Sequence, residues 1–95
     1  MPFVRVSDFE ADEESIDRFV AMIKSEPTPP EGIPATGINV LANRADRRLR
    51  VVVFFDTEEA LQAGNAILET MSPPDDLTLR RTSVELFEVL VQMTV

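Results

Sequence analysis

The sequence predicts an α+β fold of ferredoxin-like order, β-α-β-β-α-β, in which both helices cover one face of a four-stranded antiparallel sheet. Three observations predict it. From Leu49 to Met71 an apolar strand runs straight into an amphipathic helix. The spacing of apolar residues changes from two to about 3.6 twice along the chain, and a short polar turn joins two strands in the middle.

The first strand is expected over 3–9, where Val4 and Val6 alternate with Phe3, Arg5 and Ser7. A helix follows over 12–25. Its Ile16, Phe19, Val20 and Ile23 fall at i, i+3, i+4 and i+7, with Asp12 as N-cap ahead of Glu13 and Glu14 and Lys24 in the last turn. Pro27, Pro29, Pro30 and Pro34, with Gly32 and Gly37, make a stiff connector, since proline holds φ near −65°. Strands at 37–43 and 48–55, joined by the turn 43–47, form an antiparallel hairpin.

In the second strand of that hairpin Leu49, Val51, Val53 and Phe55 share one face, and Val52 and Phe54 the other. Both faces therefore need cover. The next helix is expected over 57–72, starting at Asp56 or Thr57 with Asp56 and Glu59 as a capping box and ending at Pro73-Pro74. Gly64 on its apolar stripe would let the helix approach a sheet closely. The last strand is expected over 82–93, with Val84, Leu86 and Leu90 on one face and Phe87, Val89, Val91 and Met93 on the other.

At 95 residues the chain is one domain, 1–95, and its balance of 44% hydrophobic and 27% charged residues is that of an ordinary globule. No apolar run reaches the roughly 18 residues a membrane span needs, and Met1-Pro2-Phe3-Val4-Arg5 begins a strand rather than a signal peptide. A cytoplasmic location is the expectation. The chain has no cysteine and no histidine, which removes disulfides, thiolate metal sites, cysteine nucleophiles and the commonest general base and zinc ligand. No metal site and no cofactor are expected. A net charge of −8 argues against nucleic acid and anionic membranes as partners.

Phe3-Val4-Arg5-Val6, Ser15-Ile16-Asp17-Arg18-Phe19, the run Val53-Phe54-Phe55-Asp56-Thr57-Glu58-Glu59-Ala60-Leu61 and the segment from Arg80 to Val89 resemble the antibiotic-biosynthesis-monooxygenase-like (ABM) group of dimeric α+β barrel proteins. The resemblance spans nearly the whole chain; the homodimer is expected from the two-sided strands, whose second face a second copy would cover most economically. In members that oxidise polyketide aromatics without a cofactor, Asn, Trp and Tyr serve around the strand-to-helix junction; the matching positions here are Val51, Phe55 and Leu61. The haem-degrading branch uses a helix histidine, a Trp and a first-strand Asn. This chain has neither His nor Trp, and Ser7 lies near the Asn position.

Other ferredoxin-like classes are poorly served. Arg48 to Phe55 lacks the glycine and most of the aromatics of an RNA-recognition strand, paired cysteines for heavy metals are absent, and Phe9-Glu10-Ala11-Asp12 lacks the glycine of amino-acid-sensing domains. Of the polar residues, Arg5, Ser7, Asn39 and Arg50 lie on strands and, with Phe55, are the candidates to line an internal ligand cavity; the rival reading is that the arginines pair with carboxylates or reach the rim. Arg44, Arg47 and Arg48 crowd the hairpin turn. The acids from Asp8 to Asp17 suit a helix start.

The functional expectation is a homodimeric ABM-like protein without the oxygenase and haem residues, a small-molecule-binding or structural module that takes at most a small apolar or aromatic ligand and leans away from enzyme activity. The rival is a cofactor-independent monooxygenase, isomerase or cyclase acting on a small aromatic or polyketide-like substrate, and a regulatory sensor is a third reading. Val52, Phe54 and Leu90 are expected to form the dimer interface. A closed cavity holding a strand polar group would favour an enzyme, and side chains filling the space behind Phe55 would favour the module.

Overall fold

The computed structural model describes residues 2–25, 32–71 and 77–94. In chain order the elements are β1 (Phe3–Ala11), α1 (Glu13–Ser25), β2 (Gly37–Asn43), β3 (Arg48–Phe55), α2 (Glu58–Glu69) and β4 (Leu79–Glu88). The four strands form one antiparallel sheet in the order β2-β3-β1-β4. This is the expected α+β ferredoxin-like arrangement.

Each helix starts where a side chain can satisfy its first free N–H groups. Asp12 Oδ1 accepts the Ser15 N–H at 2.8 Å ahead of α1, as the sequence suggests. At α2 the cap is Thr57, whose hydroxyl accepts the Ala60 N–H at 3.1 Å from an extended backbone. Asp56 does not close a capping box because it lies one residue before the position from which a side chain reaches the N3 amide. The expected stop at Pro73-Pro74 lies outside the described residues; α2 ends at Thr70, whose N–H donates back to the Ile67 carbonyl.

Leu49, Val51, Val53 and Phe55 are all buried on the helix side of the sheet. One cluster joins Val51, Val53 and Phe55 to Ile33 and to Leu61 of α2, and a second joins Leu49 to Ala11 and to Ile16 of α1. Phe9 and Phe19 pack against both. Gly64 is where α2 meets the sheet, for a Cβ there would clash with the edge of the Phe55 ring. A glycine at this point removes the side chain that would hold the helix away.

The last strand departs furthest from expectation, running from Leu79 to Glu88 instead of 82–93. At its start a bulge between Asp8 and Phe9 shifts the register so that Arg81, Arg80 and Leu79 pair with Phe9, Glu10 and Ala11. At its end Glu88 is opposite Phe3, and the Val89 N–H closes on the Pro2 carbonyl at 2.9 Å. The paired register ends there. Leu90 therefore lies past the sheet and is 67% exposed, together with the exposed Val91 and Met93. The register gives its place on the outer face to Phe87, which stands beside Val4.

Candidate functional site

The two faces of the sheet divide the five candidate ligand residues. Arg5, Ser7 and Phe55 point toward the helices, whereas Asn39 and Arg50 belong to the outer face. They do not converge on one cavity.

On the helix side Arg5 is 4% exposed, its Nε donating to Asn65 Oδ1 at 2.9 Å and its Nη2 to Glu69 Oε1 at 3.4 Å, both on α2. Burial lowers its pKa, the Glu69 charge and hydrogen bond work against that, and Arg81 nearby lowers it again. An arginine starts so far above neutrality that the guanidinium stays charged. Arg81 in turn donates to the other Glu69 oxygen at 3.2 Å. Ser7 is buried beside Val51, and Phe55 is 0% exposed, its ring seated on Gly64. The space behind Phe55 is filled by side chains.

The outer face holds an acid that the sequence placed among surface carboxylates. Asp8 is 6% exposed and receives Arg50 in a two-pronged contact, Nε to Oδ1 at 2.7 Å and Nη2 to Oδ2 at 3.1 Å. Ser83 donates to Oδ2 at 3.2 Å, and Arg48 approaches to 3.9 Å. The hydrogen bond from Arg50 leads in holding this carboxyl below the usual aspartate range; burial opposes it, and the Arg50 charge, Ser83 and Arg48 assist. The signal in the sequence was the register: once β1 and β3 are antiparallel, Asp8 falls opposite Arg50. Of the hairpin cations, Arg44 is bound to Asp17 at 2.7 Å.

Polarity on this face is graded along the strands. Across β2-β3-β1-β4 one end row is Gly37, Phe54, Val4 and Phe87, and the next is Asn39, Val52, Val6 and Glu85. Then come Leu41, Arg50, Asp8 and Ser83, and at the hairpin end Asn43, Arg48, Glu10 and Arg80. Apolar cover is needed at one end and charge at the other.

Open clefts lie at two places among the described residues. One of about 230 Å³ sits at the hairpin over the Asp8–Arg50 pair, between Leu41, Asn43 and Arg48. The other, about 290 Å³, opens between the first turns of α2 and the β1–β4 edge, with Phe3, Leu61, Leu86 and Phe87 as apolar walls and Glu58, Gln62 and Glu88 at its rim. Among the described residues no three His, Cys, Asp or Glu side chains are grouped to hold a metal ion, and no helix is long and apolar enough to cross a membrane.

Order, register and layering give a ferredoxin-like α+β architecture. Among solved structures, the chain is similar to a haem degrader, MhuD of Mycobacterium tuberculosis, solved with two haems bound in its active site: TM-score 0.70, 18% identity, over 97% of this chain and 99% of that one. It is also similar to a single-residue variant of MhuD with two manganese protoporphyrin IX molecules per active site, at TM-score 0.61 and 20% identity over 98% and 99% of the two chains. No protein-family model matches the sequence, and no curated protein does. Identity at this level conveys the fold and not the roles of single residues.

This finding overturns the functional expectation drawn from the sequence. That expectation was a small-molecule-binding or structural module lacking the usual oxygenase and haem residues, with a cofactor-independent monooxygenase, isomerase or cyclase as its rival; two solved structures that match over nearly the whole chain are a haem degrader and its variant, with porphyrins in their active sites. The chemistry of the donor set still differs. This chain has no histidine, cysteine or tyrosine to ligate a haem iron, and Phe55 on Gly64 occupies the layer between helix and sheet. With no methionine lining either cleft among the described residues, those residues do not fit a haem held through its iron.

Proposed function

We propose that this protein is a cytoplasmic homodimer that handles tetrapyrroles, gripping a flat ring of the haem class by its faces and edge rather than through an axial ligand. The observation that carries the reading is the match, over nearly the whole of both chains, to a fold that holds two haems in one active site. The cleft beside α2 is where this chain's residues suit such a ring. Phe3, Leu61, Leu86 and Phe87 offer apolar and aromatic surface, and one side is open to solvent. At about 290 Å³ it lies at the lower bound for ligand pockets, so a porphyrin enters by one edge and keeps its propionates in water. Glu58 and Glu88 at the rim repel those propionates, which fixes the same orientation.

Support for the homodimer comes from the outer face, where Val52, Phe54 and Phe87 present apolar surface with no helix over it. A twofold pair of sheets is the symmetric way to cover it.

Parallel titrations with haem and iron-free protoporphyrin IX test the reading. Both should bind with a stoichiometric endpoint and affinities within about tenfold, or ~1.4 kcal/mol, of each other, because the iron contributes little. Binding of haem alone, with the absorption change of an axially ligated iron, would overturn the ring-held mode. Binding of neither would overturn the function.

A further inference from the structure

The charged end of the outer face holds one arginine more than its acids can engage. We infer that this arginine, Arg48, anchors a binding site for the carboxylate of a small organic acid, seated in the hairpin cleft at the opposite end of β1 from the cleft beside α2. The inference does not depend on the tetrapyrrole reading.

The surplus follows from the strand register. The two outward rows nearest the hairpin contain three arginines, Arg48, Arg50 and Arg80, and two acids, Asp8 and Glu10. In the pairing of β1 with β3 each acid has its own arginine opposite: Asp8 faces Arg50 and Glu10 faces Arg48. The bulge between Asp8 and Phe9 then sets Arg80 of β4 opposite Glu10 on the other side. Glu10 goes to Arg80, whose Nε donates to Oε2 at 3.1 Å and whose Nη2 lies 2.8 Å from it. Arg48 is left with Asp8, whose oxygens already hold Arg50 and Ser83. At 3.9 Å it is beyond hydrogen-bond reach of that carboxylate, and its guanidinium makes no hydrogen bond among the described residues.

Arg48 and Arg50 are two residues apart on one face of β3, about 6.6 Å between their Cα atoms, and both line the open cleft of about 230 Å³. Both side chains are half-exposed, and the half-exposed Leu41 supplies an apolar wall. A guanidinium presents parallel N–H groups that match the two oxygens of a carboxylate, as Arg50 already does on Asp8. An incoming carboxylate repeats that contact on Arg48 and lays its carbon body on Leu41. The volume falls below the roughly 300 Å³ at which drug-sized pockets begin, so the guest is small. The frame is fixed beforehand: the Ala11 N–H donates to the Arg47 carbonyl at 2.9 Å, and the Asn43 amide donates to Asp46 at 3.1 Å. The net charge of −8 does not decide the matter, because charges more than a Debye length of about 10 Å away are screened while Arg48 acts at contact.

Titration of the full-length chain with sodium benzoate, followed by backbone amide NMR, tests the site, with benzamide and sodium phosphate as comparison probes. Benzoate should bind saturably in the millimolar range and shift the amides of Leu41, Asn43 and Arg48; the uncharged benzamide should not. Arg48→Gln should weaken benzoate by at least about tenfold with circular dichroism unchanged, since the side chain is half-exposed. Arg80→Gln releases Glu10 to Arg48 and should weaken benzoate as well, although Arg80 does not line the cleft. Absence of saturation, equal binding of benzamide, shifts confined to Phe3 and Leu86, or full affinity in Arg48→Gln overturns the site. Saturable phosphate binding without benzoate binding overturns the ligand class. Full affinity in Arg80→Gln overturns the origin assigned to the free guanidinium.

Discussion

The two faces of this sheet are built from neighbouring residues and do opposite work. Phe55 points into the helices and is 0% exposed, sealed by Gly64 and Leu61, while Phe54 points outward and is only half-buried. The inner face is complete within one chain, and its polar members are satisfied by α2 through Arg5, Asn65 and Glu69. The outer face is complete only in its charged half, where Asp8 binds Arg50. Folding and assembly are thus assigned to alternate residues of the same strand.

Substitutions at adjacent positions should separate the two. Phe55→Ala empties the centre of the larger core cluster and should cost about 3–5 kcal/mol, a large share of the roughly 5–15 kcal/mol that holds a domain together. Denaturant unfolding measures it; a loss below about 1 kcal/mol would show that α2 is not seated on this ring. The same seating makes Gly64→Ala unfavourable by about 1–3 kcal/mol despite alanine's better helix propensity, and a smaller ring partner, Phe55→Leu, should relieve it. Additive losses in the double variant would contradict the contact.

Phe54→Asp should act on assembly instead. An aspartate there leaves the helix-side packing untouched, so circular dichroism and unfolding of the single chain should change little, while light scattering at micromolar concentration should show the dimer lost. A Phe54→Asp variant that remains dimeric would remove Phe54 from the interface.

The inner face was legible in the sequence because its signals are local. The alternation of Leu49, Val51, Val53 and Phe55, the periodic stripe of α1 with its Asp12 cap and the glycine at 64 each give their meaning within a few residues. The outer face was less so, since its meaning lies in the register. Asp8 read as one of a row of acids until β1 was set against β3, and Leu90 read as interface until the bulge after Asp8 and the end of β1 fixed where β4 stops. The candidate site was the least legible. Arg5 and Arg50 are both strand arginines set among apolar residues, yet one faces α2 and the other faces Asp8, and only the pairing of strands separates them.

A smaller effect, visible in pH, should distinguish the charged half of the outer face from its apolar half. Asp8 is held below its ordinary pKa in the folded chain. Its contribution is therefore fully present above the unfolded value of about 3.9 and is lost as pH falls through the lower folded value. Asp8→Asn should destabilise the chain at neutral pH by about 1–3 kcal/mol, leaving Arg50 without its anion, and should flatten the decline of stability between pH 5 and the acid limit. An unchanged acid limb in the variant would mean that other carboxylates govern it.

The smallest effect is expected at Leu90, and it tests where the outer face ends. The sequence set Leu90 beside Val52 and Phe54, but the pairing stops at Glu88 and leaves Leu90 67% exposed beyond the sheet. Phe87 lies on the outer face instead, in the row of Phe54 and Val4. Leu90→Ser should then change stability by no more than about 0.5 kcal/mol, as surface substitutions usually do, whereas Phe87→Ser should weaken the dimer measurably. Sedimentation equilibrium on the two variants gives the comparison directly. Equal weakening by both would mean that the segment after Glu88 folds onto the second copy and that the face extends past the last paired residue; a stronger effect at Leu90 than at Phe87 would shift the interface off the apolar row altogether.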